Sequence, residues 1–125
     1  MARPDLLAAQ LSDAAGVFPG STLVLLLDGT HIVHVPMDLP PGWNRQCTLA
    51  RFVVPVPYPA AQLDCFYADA DLRLANGDMP TNSGPQPING ESMLWFSWHL
   101  TRWDPTRDSL LTFIRFINER LRRAQ

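Results

Sequence analysis

An α+β fold, an antiparallel sheet covered by helices, is what this sequence predicts. Two observations carry the prediction. Residues with helical spacing stand near both ends of the chain, and the stretch between them holds short β-branched and aromatic runs punctuated by Gly and Pro. The resulting order is an N-terminal helix, about four strands in an antiparallel meander, an irregular loop and a C-terminal helix. At 125 residues, with no linker or repeat, residues 1–125 read as one domain. A domain of that size buries about two-thirds of its unfolded surface.

Residues 4–15 form the first predicted helix. Pro4 suits its first turn, Leu6, Leu7 and Leu11 recur near helical spacing, and Gly16 closes it. After the Pro19-Gly20-Ser21 turn, residues 22–27 are apolar on both faces of a strand, which predicts burial on both sides. Asp28-Gly29 signals a hairpin, and residues 31–36 return as a second strand. Residues 47–54 make the third, with Arg51 interrupting an apolar run. Three prolines in residues 55–59 then stop the ladder, because proline has no amide hydrogen to give it. A fourth strand falls within residues 63–74, centred on Cys65-Phe66-Tyr67. Residues 75–92 carry three Gly, three Pro and three Asn and read as an irregular loop of the kind that serves an active site. Residues 93–100 crowd three aromatics together. In the last helix Asp104 is the predicted N-cap, Pro105 the first helical residue, and Leu110, Phe113, Ile114, Ile117 and Leu121 one apolar stripe. Arg120, Arg122 and Arg123 read as its solvated C-terminal end.

Composition excludes several classes. Ten basic and 12 acidic residues give a net charge of −2, with no basic stripe, so nucleic acid is not an expected partner. The longest apolar run, Leu23 to Leu27, is far short of the roughly 20 residues that span a bilayer, so no membrane is expected either. The N-terminal stretch lacks a long apolar secretory core, which points to the cytoplasm. Two cysteines are too few for a disulfide framework or a zinc–thiolate site. All ten basic residues are Arg, so no side-chain amine is present for Schiff-base chemistry.

The segment from Leu49 to Gly77 resembles the ubiquitin-conjugating (UBC) fold: a strand, Pro57-Tyr58-Pro59, Leu63-Asp64-Cys65-Phe66-Tyr67, Asp69-Ala70-Asp71-Leu72 and Gly77. Downstream, residues 95–99 and Trp103-Asp104-Pro105 are similar to prokaryotic UBC-like family E. The resemblance implies a ubiquitin-conjugating-enzyme-like protein of a bacterial modification system, often an antiviral one. Its implied partners are a ubiquitin-like protein, a ThiF-type activating enzyme and a JAB-type peptidase. Two departures stand out. Asp71 falls where the family pattern has an asparagine that stabilises an oxyanion, and a carboxylate there repels a developing negative charge. Met79 falls where the thioester-forming cysteine belongs, and a thioether cannot form an acyl thioester.

The resemblance therefore implies a protein that lacks the usual catalytic cysteine and binds or positions the modifier. Two alternatives stand beside it: a conjugating enzyme forming its thioester on Cys65, or an unrelated small α+β enzyme or binding module built on His99. Cys65 alternates with Leu63 and Tyr67, which turns its thiol inward as an inert core group, yet it is the nearest replacement nucleophile. Cys47 follows Arg45 and reads as structural. His99 is the candidate acid or base, or else an anchor for the preceding loop. The catalytic candidates are thus Cys65, His99 and Asp71. Trp95, Trp98 and Met79 are candidates for contacting a modifier or partner, although such tryptophans, Trp103 included, also pin loops to cores. Ser97, His99 and Asp104 are close in sequence, but spacing alone assigns no Ser-His-Asp arrangement. His31 and His34 are three apart on a strand and point to opposite faces, so neither metal nor cofactor is expected.

Overall fold

A computed structural model describes residues 3–125. Residues 1 and 2, part of the predicted 1–125 unit, lie outside the described residues. The elements are α1 (Pro4–Val17), β1 (Thr22–Leu25), β2 (His31–Asp38), β3 (Cys47–Val54), β4 (Phe66–Asp69), β5 (Ser83–Ile88), β6 (Glu91–Phe96) and α2 (Leu110–Leu121). The α+β class and the two terminal helices are as the sequence predicts. Among the described residues the strands are six rather than four, in the order β1-β2-β3-β4-β6-β5, and every strand pairing is antiparallel.

The two additional strands occupy the stretch read as loop and the aromatic run after it. β5 folds back on β6 through Asn89-Gly90, both at positive φ (48° and 83°), the backbone that a tight two-residue hairpin requires. Pro85 and Pro87 are tolerated because β5 is a sheet edge. At the other edge β1 departs from its expected burial: Val24 and Leu25 are 44% and 54% exposed. An edge strand has a neighbour on one side only, and here Leu23 alone of the strand packs against the main core.

One face of the sheet carries that core. Val33, Ala50, Phe52, Phe66 and Phe96 meet Leu7 of α1 and the α2 stripe Leu110, Phe113, Ile114, Ile117 and Leu121, all of them buried. The Phe52 and Phe113 rings meet edge-on at 5.1 Å, a favoured aromatic geometry. Truncating such a side chain to Ala costs about 3–5 kcal/mol. The opposite face holds a smaller cluster of Ile32, Ile88 and Met93.

The chain turns from β3 toward β4 at Tyr58–Pro59, a cis peptide. Tyr58 is buried, and its hydroxyl donates to Gln10 Oε1, which also accepts the Leu110 amide at 3.1 Å. One glutamine of α1 thereby ties the hinge to the start of α2. That start differs from the expectation. The Asp104 carboxylate accepts the Thr106 amide at 2.9 Å and hydroxyl at 2.7 Å, closing a local turn. The helix begins later, behind Ser109, whose amide donates to Thr112 Oγ1 at 2.9 Å. It starts where the apolar stripe can first reach the core. Arg120 is also unlike a solvated helix end: it is 2% exposed, and its guanidinium donates to the carbonyls of Thr81, Arg123 and Gln125. It faces the rings of Phe96 and Trp98 at 5.2 and 5.3 Å. Among the described residues, no helix is long and apolar enough to cross a membrane.

Candidate functional site

The pairing of β4 with β6 builds the site. Phe66 lies opposite Phe96, their rings stacked 4.6 Å apart, so the residues just before β4 run alongside those just after β6. The Cys65 amide donates to the Trp98 carbonyl at 3.1 Å and carries the pairing past the strand ends. The Ser97 amide donates to the Asn82 carbonyl at 2.8 Å, fixing the other side of the segment. Residues 34 and 35 positions apart in sequence thus meet at one open corner of the sheet.

At that corner His99 is the hub. Its Nδ1 lies 2.6 Å from Asp64 Oδ1, and its Nε2 lies 3.1 Å from Ser97 Oγ. Cys65 Sγ stands 3.8 Å from the same Nδ1. The side chains of His99 and Asp64 are 57% and 51% exposed, so large partners can reach them. Cys65 is not the inward core thiol its alternation suggests. It precedes β4, is half-buried, and has a left-handed backbone with φ 58°. That one residue breaks the strand alternation and swings the thiol toward His99. Burial pushes the thiol pKa up, and the Asp64 carboxylate adds to the shift.

Donor atoms of Asp64, Cys65 and His99 all lie within 4.8 Å of one another, a set that could hold a metal ion and that spacing alone did not show. A metal bound there would take the place of the contact between His99 Nδ1 and Asp64 Oδ1.

Of the other sequence candidates, Trp95 reaches the hub through its side chain, a hydrogen-bond partner of the Cys65 thiol, and Trp98 through its carbonyl, whereas Asp71 and Met79 lie apart from it. Asp71 pairs with Arg45 at 2.6 Å and is 76% exposed. Met79 is 42% exposed in the irregular stretch that precedes β5. Trp95 is half-buried on β6, opposite Tyr67 and Gly84. Trp98 packs on Phe116, with ring centroids 6.1 Å apart, and against Arg120. Trp103 donates to the Pro59 carbonyl at 2.7 Å and lies beside Tyr58. Trp98 and Trp103 therefore pin segments to the core. Asp64 is the participant that sequence reasoning missed; Ser97 is weighed there beside His99, but with Asp104, whose carboxylate instead closes a local turn. Asp64 was visible only as the neighbour of Cys65.

The opposite end of β4 holds a second charged group. Asp69 accepts from Thr48 Oγ1 at 2.9 Å, the Leu49 amide at 3.1 Å and Arg51 at 3.2 Å, with Arg45 at 3.4 Å. Burial alone would raise its pKa, but these donors outweigh it and hold the carboxyl below the usual range. A groove of about 810 Å³, lined by Phe18, Pro36, Leu39, Cys47 and Arg122 among others, is at neither place.

No curated protein and no solved structure matches the chain. A family model does, that of prokaryotic E2 family E, over residues 23–124. That span takes in β2 to β6, all of β1 but Thr22, both flanks of the His99 corner and α2, and the chain belongs to prokaryotic E2 family E.

Proposed function

We propose that this protein is a conjugating-enzyme-like component of a bacterial ubiquitin-like modification system. In this reading it receives the activated C-terminal acyl group of the modifier at the His99 corner, not at Met79. Family membership supports a ubiquitin-like partner. A ThiF-type activating enzyme would supply the acyl group, and a JAB-type peptidase would reverse the modification. The observation that carries the reading is one imidazole flanked by a hydroxyl at 3.1 Å and a thiol at 3.8 Å, with a carboxylate at 2.6 Å, on an open surface. A histidine oriented by a carboxylate and adjoining a nucleophile is the general arrangement for acyl transfer. Met79 and Asp71 offer neither a nucleophile nor an oxyanion donor.

A second reading, non-covalent positioning of the modifier for another enzyme, is favoured by Met79 and by the raised Cys65 thiol. One experiment decides between them. The protein is incubated with ATP, the activating enzyme and the ubiquitin-like protein of its own system, and the products are separated on a denaturing gel. The proposal expects an adduct that disappears in His99→Ala. Binding by calorimetry without any adduct favours positioning, and neither binding nor adduct overturns both.

A further inference from the structure

We propose that Ser97, not Cys65, is the nucleophile of this corner, and that Asp64, His99 and Ser97 form a Ser-His-Asp triad which carries the acyl group as an oxyester. The inference rests on the acyl-transfer reading above and names the atom that takes the group.

The two ring nitrogens of His99 are divided between different partners. A carboxylate only accepts hydrogen bonds, so the 2.6 Å contact from Asp64 places the proton on Nδ1. Nε2 is then left with its lone pair, 3.1 Å from the Ser97 hydroxyl. A carboxylate on one nitrogen and a hydroxyl on the other is how such a triad is recognised, whatever the fold or chain order. Cys65 has no such base. Its sulfur lies 3.8 Å from Nδ1, the nitrogen that bears the proton, and both burial and Asp64 keep the thiol protonated.

The mount is firm on both sides. Ser97 and His99 are two residues apart, so an extended backbone turns both to one face. Trp98 between them turns to the other and packs on Phe116. The Ser97 amide is held by the Asn82 carbonyl at 2.8 Å, and the Trp98 carbonyl by the Cys65 amide at 3.1 Å.

The step balances without a further reagent. Ser97 Oγ attacks the carbonyl carbon of the incoming thioester, and its proton passes to His99 Nε2. The carbon–sulfur bond breaks, the departing thiolate takes that proton, and the acyl group remains on oxygen. An acceptor amine or water then attacks the ester, and Oγ recovers a proton through the same nitrogen. The imidazolium formed midway is stabilised by Asp64.

The test needs no modifier. The full-length protein is treated with a fluorophosphonate, which phosphonylates activated serines with loss of fluoride, and separately with iodoacetamide, which alkylates thiols. Labelled residues are located by mass spectrometry. The expected result is phosphonylation of Ser97 that is lost in Ser97→Ala and His99→Ala, falls at least tenfold in Asp64→Asn, and survives in Cys65→Ala. Ser97→Cys, with thermal melting recorded for every variant, guards against a folding defect: it should be alkylated at position 97 faster than the wild type is at Cys65. Absence of labelling in the wild type, or labelling unchanged in Ser97→Ala, overturns the inference. With the modifier, an adduct that resists dithiothreitol, is cleaved by hydroxylamine and survives in Cys65→Ala agrees with it. An adduct reduced by dithiothreitol and lost in Cys65→Ala overturns the serine assignment while leaving the acyl-transfer reading intact. Phosphonylation at Ser97 without any modifier adduct does the reverse.

Discussion

The two ends of β4 each carry an aspartate, and they are built in opposite ways. Asp69, at the C-terminal end, is 21% exposed and is surrounded by donors that keep their protons: a hydroxyl, a backbone amide and two guanidinium groups. Asp64, just before the N-terminal end, is 51% exposed and has a titratable imidazole as its partner, with a hydroxyl and a thiol beyond it. A carboxylate encircled by permanent donors stabilises a fold but has nothing to transfer. One that holds a histidine, with nucleophiles beside it, can move a proton. The contrast separates a structural charge from a reactive one on a single four-residue strand.

The largest effect should come from the first end. Asp69→Ala leaves the Thr48 hydroxyl, the Leu49 amide and the Arg51 guanidinium, 11% exposed, without their acceptor. Stripping the partner from a largely buried charge network costs about 3 kcal/mol. Urea unfolding should show that loss while fluorophosphonate labelling is unchanged. A destabilisation below about 1 kcal/mol would put Asp69 among ordinary surface charges.

Next in size is the acid limb of the stability curve. The Asp69 carboxyl is held below its ordinary range in the folded protein. Between the folded and unfolded pKa values the unfolded chain therefore binds more protons, and stability rises with pH there. The contribution is complete above the unfolded value, roughly pH 4, and is lost as pH falls through the folded one. Asp69→Asn should flatten that limb below about pH 4. An unchanged limb would assign acid unfolding to other carboxylates.

This contrast was only partly legible in the sequence. The α2 stripe, the proline hinge and the β3 boundaries follow from period and composition, because each rests on local spacing. β5 was missed although Asn89-Gly90 is a hairpin signal, since Pro85 and Pro87 argue against a strand unless it is known to be an edge. Arg120 reads as solvated because nothing local reveals the Thr81 carbonyl and the two aromatic rings that enclose it. His99 reads as an acid or base from its surroundings in sequence, with Ser97 set beside it, but Asp64 is not joined to the pair. Their meeting depends on the β4–β6 register across a hairpin, and on a left-handed Cys65 that alternation cannot foresee. Long-range register and a single unusual φ are the two quantities that residue spacing does not contain.

That left-handed residue supplies a smaller effect, of opposite sign. A non-glycine side chain at φ 58° is strained, and glycine relieves the strain. Cys65→Gly should therefore stabilise the protein by up to about 1 kcal/mol, seen as a higher urea midpoint with an unchanged slope. Because Ser97 carries the acyl group in the proposed chemistry, labelling of Ser97 should persist. A destabilised Cys65→Gly would show that the thiol contributes more by packing than its backbone loses by strain.

The smallest expected change in stability belongs to the residue with the largest expected change in activity. His99 is more than half exposed, and its hydrogen bonds go to groups that water can also satisfy. His99→Ala should alter stability by no more than about 0.5 kcal/mol, the range of surface substitutions away from special features, while abolishing Ser97 labelling. The measurement also separates the two sequence readings of this histidine. An imidazole that anchors the segment after β6 would take more than about 1 kcal/mol with it when removed. It would also loosen the backbone bond between Cys65 and Trp98, detectable as faster amide exchange at Cys65. Stability kept and labelling lost would make the corner a place where reactivity is arranged on top of a fold that does not need it.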